Sequence, residues 1–196
     1  MEKNIDFFKI KTNNKKPERG KILISEPFAK GYYFKRSIVL LLEYDDKGAM
    51  GFVLNKPIKK MVPEIKEEFP DFQPNISIGG PVGTNKMYFL HTLGKEVLEG
   101  SIEISDGLFW GGNYQKVKEY INSGFITNEQ VRFFIGYSGW TAGQLDEELK
   151  NNYWLVESID NHKIMNHDEN IWSEVLQDLE PRYKMWANFP ENPEFN

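Results

Sequence analysis

A chain of 196 residues with 40% hydrophobic content can bury a core of its own, and its length fits one domain. It has no cysteine, which excludes disulfides, thiolate metal sites and cysteine nucleophiles and fits a reducing compartment such as the cytoplasm. Net charge is −5, yet residues 1 to 19 hold six basic side chains against three acidic ones, so the remainder sits at −8 (−5 minus +3), which disfavours phosphate-backbone binding by the body.

The chain opens on MEKNIDFFKIKTNNKK, without the apolar core of a secretory signal, and no later apolar run approaches the roughly 20 residues that span a bilayer. A soluble, untargeted protein is expected. Residues 1 to 19 read as a basic, solvated extension and residues 20 to 196 as a single domain, with nucleic-acid or acidic-surface contact by the extension as the alternative. Lys21 to Ser25 is a short apolar run. Ser37 to Tyr44 contains five consecutive aliphatics and predicts a central strand buried on both faces. Asp45 to Gly48 supplies turn chemistry, Ala49 to Asn55 returns as the second arm of a hairpin, and Pro57 ends it.

Pro63 starts a short helix that runs to Phe69 and stops at Pro70. Strands follow at Ile76 to Ile78, Met87 to Thr92 and Ser101 to Ser105. Between Asn113 as cap and Gly124 as stop lies a helix with Tyr114, Val117, Tyr120 and Ile121 on one stripe. Val131 to Gly136 and Tyr153 to Glu157 read as strands flanking a glycine-punctuated turn and a helix. A short strand is drawn near Lys163 to Met165, a helix from about Glu169 to Leu179, and an irregular tail over the last ten residues. Strands outnumber helices and the first pair is a hairpin, so the class is α+β or mixed α/β.

Gly136-Tyr137-Ser138-Gly139-Trp140 invites comparison with the nucleophile elbow G-x-S-x-G, but Trp140 stands where the elbow needs glycine, and His162 and His167 lie in a polar, loop-like stretch without a well-spaced acid. The same segment resembles a phosphate cradle at a helix start, yet Gly136, Gly139 and Gly143 match neither dinucleotide nor P-loop spacing. A structural cap competes with that anion site. Thr141 and Gln144 form a capping box, and Trp140 and Leu145 a hydrophobic staple. Asp146, Glu147 and Glu148 point about 100° apart on a helix, which gives a solvated acidic face rather than a metal cluster. His91, in the apolar context YFLHT, reads as a hydrogen-bonded, partly buried histidine. Gly79-Gly80-Pro81-Val82 is a tight turn or a place of close ligand approach. Arg36, entering a buried strand, needs an internal acid or carbonyl, or else a bound carboxylate or phosphate.

The runs Gly20-Lys21-Ile22-Leu23-Ile24, Phe34-Lys35-Arg36-Ser37, Gly48 to Pro57 (GAMGFVLNKP), Gly79 to Val82, Leu90-His91, and Gly136 to Trp140 with Gly143-Gln144-Leu145 together resemble the AlgH/YqgE family, from about Gly20 to the C-terminus. That resemblance implies a branched mixed sheet curled into a partial barrel with helices packed outside. Some members carry the label of transcriptional regulator, but nothing in this chain resembles a DNA-reading helix. The chain departs from the family in its basic extension, in Lys30 to Tyr33 and in Thr141-Ala142.

The resulting expectation is a cytoplasmic, non-enzymatic binding or regulatory protein acting through a protein or small ligand, with no cofactor, metal or catalytic residue assigned. The candidate surface is Arg36, Asn55, Gly79, Gly80, His91, Tyr137, Trp140 and Gln144. The competing expectations are an enzyme with a site around Arg36, His91 and the Tyr137 to Gln144 loop, and a regulator that meets nucleic acid through the extension. A cavity gathering Arg36, His91 and Gln144 would favour an enzyme or ligand site; an exposed aromatic patch without a cavity would favour a protein partner.

Overall fold

The computed structural model describes residues 11–59 and 63–190. The aliphatic run that predicts a central strand is β2 (Ile38–Asp45), with β1 (Ile22–Ser25) on one side and β3 (Gly48–Val53) on the other. Its alternation explains why it is apolar throughout. Ile38, Leu40 and Leu42 point into one core with α5 (Ile171–Gln177) and α6 (Pro181–Ala187), while Val39 and Leu41 point into another with Trp140, Leu145 and Trp154. A strand sandwiched between two apolar layers has no polar face to offer.

The other strands are β4 (Ile76–Ile78), β5 (Val82–His91), β6 (Ser101–Ser105), β7 (Leu108–Gly111), β8 (Val131–Thr141) and β9 (Trp154–Glu157). They complete a path β6-β7-β5-β8-β3-β2-β1-β9, with β4 off that path against β8. The sheet branches on β8. One flank pairs with β5 along most of its length; the other pairs with β4 in parallel at Phe133 to Ile135 and with β3 antiparallel at Ser138 to Thr141. Chain leaving β3 turns from β8 to β4, through Val53 N–H to Gly79 O and Ile58 N–H to Ile76 O, both 2.9 Å. The result is a curled half-barrel with helices packed against it, the architecture the resemblance implies. A third core, under α1 (Pro63–Glu68) and α2 (Tyr114–Asn122), holds Ile65, Phe69, Val117, Ile121 and Phe133.

Several boundaries differ from the sequence expectation. Gly136 to Trp140 is not a turn: β8 continues through it to Thr141, with Gly136 at φ +70° beside a register break between Val82 and Met87. α3 (Gln144–Lys150) therefore starts later, with left-handed Gly143 at its N-cap and no side-chain cap. Half of the expected capping box survives, because Gln144 Oε1 accepts the Thr141 backbone N–H at 3.1 Å. Lys163 to Met165 belongs to a helix, α4 (Asn161–Met165), rather than to a strand; Ile164 and Met165 are adjacent and both buried, which a one-sided strand does not allow. The helix expected from about Glu169 to Leu179 is α5, and a further helix not expected from the sequence, α6, follows it with Pro181 at its start.

Residues 1 to 10 of the basic extension lie outside the described residues. From Lys11 onward the chain follows β9: Asn13 bonds both the carbonyl and the N–H of Val156, Lys15 meets Glu157 at 2.6 Å, and Pro17 is buried. The Asn13 amide thus satisfies backbone groups that an edge strand would leave open. Among the described residues no helix is long and apolar enough to cross a membrane.

Candidate functional site

The candidate residues separate into five places. Arg36 lies in the turn before β2, with φ +49°, a left-handed value unusual for a side-chain-bearing residue. Hydrogen bonds on both sides hold it there. Asn55, only 6% exposed, donates to the Arg36 carbonyl at 2.8 Å and accepts the Ile38 N–H at 3.0 Å, while Ser37 N–H reaches Ser25 Oγ at 2.8 Å. The guanidinium lies over the Trp172 ring, 5.1 Å from its centroid, and Nη2 donates to the Phe189 carbonyl. Its Nε is buried with no acceptor. Arg36 and Asn55 line a cavity of about 360 Å³ together with Lys56, Lys59, Glu169 and Trp172.

Gly79 and Gly80 serve a backbone crossing. A Cβ on Gly79 would stand 2.3 Å from the Gly136 carbonyl oxygen, and one on Gly80, at φ +154°, would stand 2.3 Å from the Tyr137 carbonyl carbon. Only glycine lets β8 come this close. Ser138 is buried in the same crossing and donates to Gly79 O at 3.1 Å, so its hydroxyl faces backbone rather than a substrate.

His91, the last residue of β5, is fully buried and pairs with Phe109 of β7 and Val131 of β8. Ser101 Oγ donates to Leu98 O at 2.6 Å and so accepts from His91 Nε2 at 2.9 Å, while Nδ1 accepts the Leu93 N–H at 3.3 Å; the ring stacks on Phe109. Both nitrogens are spent on internal partners, and burial pushes the imidazole down to about 4, so it is neutral at physiological pH.

Trp140 and Gln144 converge on Glu148. Glu148 Oε2 accepts the indole N–H of Trp140 at 2.8 Å and of Trp154 at 2.7 Å, and Oε1 accepts Gln144 Nε2 at 3.0 Å. Asp146 accepts the Tyr44 hydroxyl at 2.6 Å, which pushes the phenol up to about 12. The acidic run is thus more engaged with its neighbours than a solvated face, although its carboxylates do diverge. Tyr137 stands apart, edge-on to Tyr88 and beside Val82 and Trp140 in a shallow cavity of about 490 Å³. Arg36, His91 and Gln144 are therefore not gathered into one pocket.

Three cavities run together along the α5 end of the half-barrel. The Arg36 cavity shares Pro57, Lys59 and Glu169 with one of about 670 Å³, which shares Asn75 and His167 with a third of about 400 Å³. Beneath them lies Arg132, fully buried. It donates to the carbonyls of Leu54, Ile164 and Asn166 and to Ser77 Oγ, and burial lowers it to about 9. His167, bonded to Ile76 O at 3.2 Å and Ser77 Oγ at 3.1 Å, is pushed down by burial and then by Arg132. Sequence reasoning missed Lys56, Lys59, Trp172 and Arg132 here. The only signal for Arg132 was a charge in an otherwise apolar strand.

A match to the AlgH-like family (DUF179) runs over residues 22–184. The chain is 41% identical over its full length to a UPF0301 protein of Bacteroides fragilis, and 43% identical to one of Bacteroides thetaiotaomicron, in each case covering all of both chains. The solution structure of the AlgH protein of Pseudomonas aeruginosa is similar at a TM-score of 0.66 and 28% identity, covering 83% of this chain and 91% of that one. A crystal structure of a Corynebacterium diphtheriae protein shares the fold at a TM-score of 0.74 and 19% identity, covering 92% and 95%.

Proposed function

The chain belongs to the AlgH-like family, and from that premise we propose that it is a non-enzymatic binding or regulatory protein, acting in the cytoplasm through a protein or small ligand. The observation that supports this reading is the joined groove at the α5 end, where an arginine held in a strained conformation lines open space. The groups a hydrolase would use point the other way: Ser138 and His91 are buried and bonded internally, far too enclosed to meet a substrate.

Affinity enrichment from native-host lysate tests it, with proteins and small molecules both identified by mass spectrometry. A retained species that elutes chemically unchanged, is lost from Arg36→Gln and is kept by Ser138→Ala is the expected result. Conversion of the retained species into a product, dependent on Arg36 or His91, would establish the enzyme instead.

A further inference from the structure

We propose that the Arg36 cavity is an anion-binding site for a small phosphate- or carboxylate-bearing compound, an assignment that rests on the ligand-binding reading above. Among the described residues the cavity sets Arg36 beside the Lys59–Glu169 ion pair, in a chain whose net charge is −5. A cation held there runs against the molecule's overall sign.

Arg36 is the centre of the site. No carboxylate lies within ion-pair distance of it among the described residues, and its acceptor is the Phe189 carbonyl, a dipole that orients a guanidinium without neutralising it. Trp172 supports the planar group from below and is itself fixed by its indole N–H to Ser25 O at 3.0 Å. Asn55 locks the left-handed backbone that aims the side chain. This is a preset cation with its supports in place: with Nη2 on the Phe189 carbonyl and Nε buried, Nη1 is the guanidinium nitrogen left to meet an oxyanion. Lys56, whose Nζ donates to the Lys35 carbonyl at 2.9 Å, and Lys59, paired with Glu169 at 3.1 Å, flank it. At about 360 Å³ the cavity is at the small end of ligand sites, which suits a metabolite better than a polymer.

Calorimetric titration of the full chain with inorganic pyrophosphate in one arm and succinate in the other tests the assignment and separates the two sources of negative charge. Saturable one-site binding in at least one arm is expected. Arg36→Gln should weaken it at least about tenfold, and Lys59→Gln about two- to fivefold. Glu169→Gln should tighten it by a similar factor, because it removes a repelling carboxylate and releases Lys59. Should Arg36→Gln fail to fold, the opposite signs at the two exposed positions decide. Silence in both arms, binding that survives Arg36→Gln in a folded protein, or weakening by Glu169→Gln would overturn the anion site. A lysate species held through Arg36 while both probes are silent overturns the anion assignment and leaves the binding reading standing. Saturable anion binding together with turnover of the lysate species does the reverse.

Discussion

The indole N–H of Trp140, on β8, and the carboxylate of Glu148, on α3, meet at 2.8 Å, and the same oxygen accepts the indole of Trp154 on β9. Glu148 thereby joins the end of the sheet's longest strand, the helix behind it and the strand that follows. Trp140 is 6% exposed and shares a buried cluster with Leu145 and Trp154, although Gly143 rather than Thr141 is the N-cap, so the pair is strand-to-helix packing and not the staple expected from the sequence.

Trp140→Ala should therefore destabilise the fold by about 3–5 kcal/mol, and Trp140→Phe, which keeps most of the apolar volume, by about 1–2 kcal/mol through the lost charged hydrogen bond. Denaturant midpoints at unchanged slope would measure both. A Trp140→Ala protein that unfolds like wild type but loses a partner in the lysate enrichment would make this loop a binding surface.

At the crossing of β4 and β8 two substitutions should part company. Ser138→Ala removes one donor to Gly79 O, which still accepts the Val53 N–H, so about 1 kcal/mol is the expected loss. Gly80→Ala forces a Cβ to within 2.3 Å of backbone at a φ that side chains avoid, and the crossing has nowhere to move. It should cost several times as much. Thermal melting separates the pair, and comparable midpoints would mean that the crossing is looser than its distances indicate.

Much of the fold was legible because the signals were local. The aliphatic run of β2, the Asp45 to Gly48 turn and the stripe of α2 each follow from a period or a turn residue. Gly136 to Trp140 misled for a physical reason: glycine permits both a turn and a close strand crossing, and the deciding partner, Gly79-Gly80, is more than fifty residues away. β7 and α6 were missed although Asp106-Gly107 is a hairpin turn and Pro181 a helix starter. At the candidate site Arg36 and Asn55 were both singled out, and the hydrogen bond between them was not foreseeable, because Asn55 arrives on another strand's end. Trp172 carried no mark beyond the apolar stripe of its helix.

Nucleic-acid binding should be weak and salt-dependent. Outside residues 1 to 19 the chain carries −8, and of the lysines around residues 11 to 17 two already meet carboxylates, Lys15 with Glu157 and Lys150 with Glu147. Among the described residues Lys11 and Lys16 remain without a carboxylate. Changing both to Gln should leave melting unaltered and reduce the slope of log affinity against log salt by about 2 if each neutralises one phosphate. Sequence-selective binding by that double variant at moderate salt would show that the reading surface does not depend on these two lysines.

Stability should fall on the acid side of neutrality through His91. Its ordinary value of 6.5 is lowered to about 4 by burial, so between those two values the unfolded chain binds a proton that the folded chain refuses. Stability from this group is therefore fully present above about pH 6.5 and is lost as pH falls toward 4, amounting to roughly 3 kcal/mol. His167, lowered in the same direction, adds to the loss. His91→Gln keeps a donor and an acceptor without a titrating ring. It should be less stable than wild type at pH 7.5, where the Phe109 stack is lost, yet should show a visibly flatter decline between pH 6.5 and 4.5. Parallel pH profiles for the two proteins would mean that His91 titrates in the fold as it does in the unfolded chain, and the hydrogen bond from Leu93 N–H to Nδ1, which a protonated ring cannot accept, would then have to be reassigned.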